Sequence, residues 1–282
     1  MCIDQGQGWL DTAGFSGMYP AMENQPFYVR EGDHFIPQDS GRGPWGNRSL
    51  HGRVVIGLLG HGLEAAFGGE EFTPARLTVD MYKLPGFDPV EIRTTLIREG
   101  GRIRMTEAEF LSGGISMAKA TCQFLRRTEN PEGSTWSPPN WDAPLPETIE
   151  PLPNSRSPMG GMWATRQIAG GFGDPGPRRI WMSEVRELVA GVPLTPFQRV
   201  AVAADFCSPF ANASRDKGLA YINTDVTVYL HRAMVGDWVG FESVNHHATD
   251  GVAIGETWLY DREGPIGTAT CAALAQKRLP PK

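Results

Sequence analysis

Asp205 stands in "AVAADFC", between Ala204 and Phe206 and about one turn beyond Ala201 and Val202. Apolar company strips water from a carboxylate, which disfavours its ionised form and pushes its pKa upward. A general base working near neutral pH needs that shift. The same aspartate paired with an arginine such as Arg199 or Arg215 would be only a structural anion. Asn223 and Thr224 precede a strand-like run and offer an amide and a hydroxyl that could orient a water beside Asp205; ordinary strand-start hydrogen bonding is the competing use. "SLHGR" opens a helix-like segment, where the backbone amides near Gly52 and Arg53 could receive a carbonyl oxygen as charge develops on it. Simple N-capping by Ser49 would explain the same stretch. His231-Arg232 puts a cation, Arg232, at a strand end, where it suits either ligand phosphates or solvent. Together these residues could hold a water beside a carboxylate and meet a developing negative charge with backbone amides.

Other chemistries find less support. "GFGDPG" (Gly171, Gly173, Gly176) matches a dinucleotide loop in spacing, but Pro175 and Pro177 obstruct the helix that must follow. His246 and His247 would point to opposite faces of a strand, a poor ligand pair. No H-x-H, H-E-x-x-H or cysteine cluster suggests a metal, and no G-x-S-x-G elbow suggests a serine hydrolase. The net charge of −6 lacks the basic footprint that duplex nucleic acid requires. No apolar run reaches the ~18–20 residues of a membrane span, and the N-terminus lacks the pattern of a secretory signal. Four scattered cysteines (Cys2, Cys122, Cys207, Cys271) suit a reducing compartment. The expected setting is cytoplasmic.

The elements that must position these residues come in two sets. "GRVVIGLLGHGLEAAF" (from Gly52) places Val54, Val55, Leu58, Leu59, Leu63 and Ala66 at helical spacing. Its three internal glycines would let a sheet pass close by. "TPFQRVAVAADFC" offers Thr195 as N-cap, Pro196 at the first helical position, and Phe197, Val200, Ala201, Ala204 and Cys207 on one stripe. Each helix precedes a run of alternating Val, Ile, Thr, Phe and Trp with closely spaced turns, the pattern of an antiparallel meander. "LTVDMYKLPGFDPVEIRTTL" begins at Leu77 and "VTVYLHRAMVGDWVGFESVN" at Val226, 226 − 77 = 149 positions later. The match continues toward the C-terminus if the turn "DREGP" holds two residues more than "SGG". The chain therefore reads as a duplicated helix-plus-sheet unit, over residues 27–127 and 181–278, with an irregular Pro/Gly-rich connection over 128–180. Pairing the copies edge to edge would remove one exposed edge from each and give a pseudo-twofold. Counting back from Asp205 lands near Ile56 or Gly60, which cannot ionise. Glu64 falls at the solvated end of its helix, so one site per chain is expected.

"GPWGNRSLHGRVV" ahead of "ARLTVDMYKLPG", followed by "AVAADF", "YINTDVTVYLHRAMVGDWV" and "DGVAIGETWLYDREGPIGTAT", resembles the acyl-CoA thioesterase II-like family. The resemblance implies an α+β double hotdog fold and hydrolysis of an acyl-CoA or related thioester in lipid metabolism. It implies an apolar tunnel for the acyl chain and no metal or organic cofactor. The family holds its attacking water with a helical carboxylate, a Thr and a Gln; these fall on Asp205, on Asn223 with Thr224 beside it, and on Ala272. Gly52 and Arg53 would meet the carbonyl, and Arg232 the coenzyme phosphates. The alanine at the glutamine position raises an alternative, a thioester-binding protein without turnover. Hydration of an enoyl thioester would need a His–Asp pair, and none can be placed. Nucleic acid and membrane are not expected partners; a homo-oligomer formed through the remaining sheet edges is.

Overall fold

The computed structural model describes residues 25–45, 48–151, 163–171, 174, 176–214 and 219–276. Cys2, Gly173, Pro175, Arg215 and the last residues of the expected C-terminal repeat lie outside the described residues. In chain order the elements begin with β1 (Tyr28–Glu31), β2 (His34–Pro37) and α1 (Gly52–Phe67). A meander follows: β3 (Phe72–Met81), β4 (Val90–Glu99), β5 (Ile103–Ser112) and β6 (Ile115–Arg126). Next come β7 (Ala164–Ala169), β8 (Arg179–Ser183), α2 (Pro196–Ala204) and α3 (Cys207–Asn212). The second meander is β9 (Tyr221–Asn223), β10 (Asp225–Leu230), β11 (Val239–Thr249), β12 (Val252–Asp261) and β13 (Gly264–Ala275).

The meanders follow from the period-2 burial that their sequences dictate: Leu77 and Val79 are buried in β3, and Val226 and Val228 in β10. Their strands form one sheet ordered β1-β2-β4-β5-β6-β3-β10-β13-β12-β11-β8-β7, with β9 also paired to β13. The order is symmetric about the antiparallel β3–β10 seam. At its centre Thr78 faces Thr227, and the Thr227 hydroxyl meets the Thr78 hydroxyl at 3.2 Å across a sequence separation of 149. The same offset carries β5 onto β12 and β6 onto β13, end for end (103 + 149 = 252, 126 + 149 = 275). The two extra turn residues expected from the sequence are therefore not needed. The expected duplication, edge pairing and pseudo-twofold are all present.

Four differences bear on the site. The 128–180 connection is not wholly irregular: it contains β7 and the start of β8, which extend the sheet beyond β11. Its Trp141 stacks on Tyr260 of β12 at 4.2 Å, so this segment is packed down by aromatic area. The α1 glycines serve mainly the partner helix. A methyl at Gly57 would come within 2.6 Å of Val202 and one at Gly60 within 3.2 Å of Ala201, both on α2; toward the sheet, one at Gly62 would stand 2.5 Å from Ile92 and one at Gly60 only 3.9 Å from Leu77. With α2 on one side and strands on another, α1 is buried around most of its circumference through Leu63, while Ala66 is exposed. Finally, the expected single second helix is two: α2 stops at Ala204, with Asp205 as its C-cap, and α3 starts at Cys207.

Candidate active site

The two buried helices lie side by side with opposite ends together. Thr195 caps α2 and donates to Glu64 on α1 at 2.7 Å, while the start of α1 abuts Asp205 at the end of α2. The α1 cap is His51 and not Ser49, the competing explanation of this stretch, whose hydroxyl bonds the Trp45 carbonyl. Gly52 then occupies the first helical position because nothing larger fits: a methyl there would stand 2.7 Å from Asp205 Oδ1 and 2.9 Å from Oδ2.

Asp205 is 6% exposed, and two side chains hold its carboxylate. Asn223 Nδ2 donates to Oδ1 at 3.0 Å, and His51 Nδ1 lies 3.1 Å from Oδ2. Arg53 N lies 3.3 Å from the same His51 Nδ1. A bare Nδ1 could accept from Arg53, but it would then set a lone pair against an anionic oxygen. The proton therefore belongs on Nδ1, donated to Asp205, and the Arg53 N–H is left to the carboxylate. The position adds to this, because the first turn of α1 turns its partial positive charge toward Asp205. Burial pushes the Asp205 pKa up, but the His51 ring, the Asn223 amide and the Arg53 backbone N–H together hold it below the usual carboxylate value. This is opposite in sign to the rise expected from the apolar flanks of Asp205, which signal its burial but not its donors. The arginines proposed as alternative partners do not explain Asp205, since Arg199 pairs with Asp237 at 2.9 Å and Arg215 lies outside the described residues.

A cavity of about 540 Å³ opens onto this cluster. Asp205, Gly52, Asn223 and Thr224 line it, with Val55, Met81, Leu84, Ile222 and Leu274 supplying apolar wall. Asn223 reaches Asp205 because the repeat of β3 is broken at Thr224 into β9 and β10. Thr224 itself turns to the Ala272 carbonyl, its N–H at 3.0 Å and its hydroxyl at 3.4 Å, and not to Asp205. Asp225, also in the wall, has its pKa raised by burial, with Asp80 directly across the seam adding to the rise. Two carboxylates in one cavity are thus pushed in opposite directions.

The remaining expected residues fall elsewhere. The Arg53 side chain is buried and gives Nη1 to Glu184 at 2.6 Å, with its guanidinium 4.7 Å from the Phe27 ring and 4.6 Å from the Trp163 ring. Only its backbone serves the site. Arg232 is committed to Asp261 through contacts of 2.5 and 2.7 Å and is not part of the cavity wall. Ala272 is exposed and borders a neighbouring hollow, while Cys271 and Ala273 on either side of it in β13 are buried. The count that placed a glutamine there, and the nearby Thr270 and Gln276, therefore concerned the outer face. Glu64 is not at a solvated end: it accepts from Thr195 and, at 2.8 Å, from Gln198. Among the described residues no three His, Cys, Asp or Glu side chains gather as a metal site. His51 was missed. It lies in "SLHGR", but its partner is in the other half of the chain; the His–Asp pair that could not be placed from the sequence is His51 with Asp205.

Two family models match the chain: an acyl-CoA thioesterase N-terminal domain over residues 41–128, and an acyl-CoA thioesterase C-terminal domain over 128–274. No curated protein matches it. Among solved structures it is similar to the tesB protein of Mycobacterium avium subspecies paratuberculosis (17% identity, 93% of this chain and 99% of that one, TM-score 0.65). It is similar to a protein of Novosphingobium aromaticivorans assigned as a thioesterase (19% identity, 89% and 99%, TM-score 0.67). A third is a hot dog fold protein of unknown function from Alicyclobacillus acidocaldarius (16% identity, 92% and 99%, TM-score 0.68). At these identities the likeness establishes the architecture, a double hotdog.

Proposed function

The chain belongs to the acyl-CoA thioesterase family and is a thioester hydrolase; from that premise we propose that its attacking water is held by Asp205 and Asn223. The observation that carries this reading is the 3.0 Å bond between Asn223 Nδ2 and Asp205 Oδ1 in the wall of a cavity that also presents the apolar side chains of Val55, Met81, Leu84, Ile222 and Leu274. Because Asp205 is held ionised by its donors, it accepts a hydrogen bond from water throughout the neutral range. Asn223 keeps a carbonyl oxygen and a second N–H for the same molecule. Water then attacks the thioester carbonyl carbon, the carbonyl oxygen takes up negative charge, and the C–S bond breaks to release thiol and carboxylic acid. Gly52, in the wall and in the first turn of α1, offers a backbone amide to the developing oxyanion. Thr224 stands at the lip, and the apolar wall receives the acyl chain.

The binding-only alternative drew on the glutamine amide missing at Ala272. That residue borders a different hollow, and Asn223, paired with Ala273 on the neighbouring strand, supplies an amide to Asp205. No observation now favours it. A cytoplasmic setting in lipid metabolism rests on the family chemistry and on Cys122, Cys207 and Cys271 being buried free thiols.

The test is steady-state thiol release from a panel of acyl-CoAs. Asp205→Asn is expected to lower kcat about 100-fold or more and Asn223→Ala about 10-fold, with smaller effects on KM. Equal rates in wild type and Asp205→Asn would remove Asp205 from the reaction.

A further inference from the structure

Asp205 is well placed to hold water and poorly suited to keep a proton. A carboxylate with two side-chain donors and a helix start around it, its pKa below the usual value, returns any proton it accepts. Thiolate expulsion still needs a group that takes a proton from water and passes one to sulfur. The cluster contains a group with a spare lone pair.

We infer that His51 is the catalytic base of this site, with Asp205 fixing its tautomer, a role that rests on the thioester reading above. Three observations carry it. His51 Nδ1 is 3.1 Å from Asp205 Oδ2, and the two side chains are only 15% and 8% exposed. The proton that this contact requires on Nδ1 leaves Nε2 as the ring's one lone pair, because a neutral imidazole carries a single N–H. His51 is not itself a lining residue, but Leu50 and Gly52 on either side of it and its partner Asp205 all line the cavity, so the residue adjoins the wall, with its side chain still 15% exposed. The arrangement repeats the logic of an acid orienting an imidazole that does the proton transfer. Here the nucleophile is water in place of a side-chain hydroxyl.

The step balances without a co-reactant. Water forms the new C–O bond as Nε2 takes one of its protons. The tetrahedral intermediate collapses, the C–S bond breaks, and the imidazolium returns that proton to the departing thiolate. The products are one carboxylic acid and one thiol, and the enzyme ends as it began. The positive charge that appears on the ring during the step is balanced by Asp205, which stays ionised.

His51→Asn separates this role from a structural one. Asparagine is a good N-cap, and its Nδ2 sits where Nδ1 sits on the ring, so it keeps a donor for Asp205 but has nothing in the place of Nε2. Kinetics with acyl-CoA substrates are expected to show kcat lowered about 100-fold or more with KM within about threefold, and a thermal midpoint close to wild type. In His51→Ala, added imidazole is expected to recover at least about tenfold of the lost rate. The inference is overturned if His51→Asn keeps kcat within about threefold of wild type. It is also overturned if imidazole gives no recovery, since the ring would then serve only to position Asp205. If wild type releases no thiol from any acyl-CoA, the thioester reading fails instead.

Discussion

At the residue scale, the charge on Asp205 is set by three partners from two separate segments: His51 and Arg53 at the start of α1, and Asn223 at the end of β9. Its folded pKa lies below its unfolded value of about 3.9. The ionised group therefore contributes stability that is fully present above the unfolded pKa and is lost as pH falls through the folded one. Thermal melts should show wild type losing more stability than Asp205→Asn between about pH 5 and pH 2; parallel losses would mean that the three donors do not favour the carboxylate. The sequence made Asp205 legible, because a lone acid in an apolar helical stripe is conspicuous. It left His51 illegible, because a histidine beside a glycine has many uses until its partner is known. Arg232 shows the converse: a cation at a strand end looked free for phosphate, but Asp261 satisfies it in a fork-like contact.

At the scale of elements, the helix pair sets the position of the acid. Gly57 and Gly60 let α2 approach α1, and Val202, which a methyl at Gly57 would strike at 2.6 Å, lies one turn before Asp205. Gly57→Ala brings a helix-propensity gain of roughly 1 kcal/mol against an overpacking cost of about 1–3 kcal/mol. A β-branched neighbour in a full core cannot yield easily, so the cost wins. Urea unfolding should show a net destabilisation of about 1 kcal/mol or more, with kcat falling because α2 shifts; a stabilised and fully active variant would contradict the close-packing account. The bounds of α1 and the course of both meanders were legible from their periodicity and turns. The short strands β1, β2, β7 and β8 were not, because four to six residues carry too little alternation to stand out. The break at Thr224 was also hidden. It interrupts one copy of a strand that runs unbroken through Phe72–Met81 in the other.

At the scale of the whole molecule, duplication explains why the site is shared between halves. Each helix cap meets an acid on the other helix: His51 with Asp205 at one end, Thr195 with Glu64 at the other. The two ends have diverged. Where the repeat places Asn223 the first half has Pro74 (223 − 149 = 74), which has no amide to offer, and Glu64 is held by both Thr195 and Gln198. One end keeps an acid and a carboxamide at a cavity wall with an imidazole against the acid, and the other uses its acid to join the helices.

The central claim is that water held at Asp205 attacks the thioester directly. A single turnover of acyl-CoA with excess enzyme in oxygen-18 water, read by mass spectrometry, tests it most closely. The expected product is a carboxylic acid carrying one solvent-derived oxygen, with an unlabelled protein. Unlabelled acid, with the heavy oxygen found in the Asp205 carboxylate, would show that the aspartate attacks the acyl group itself and would contradict the account.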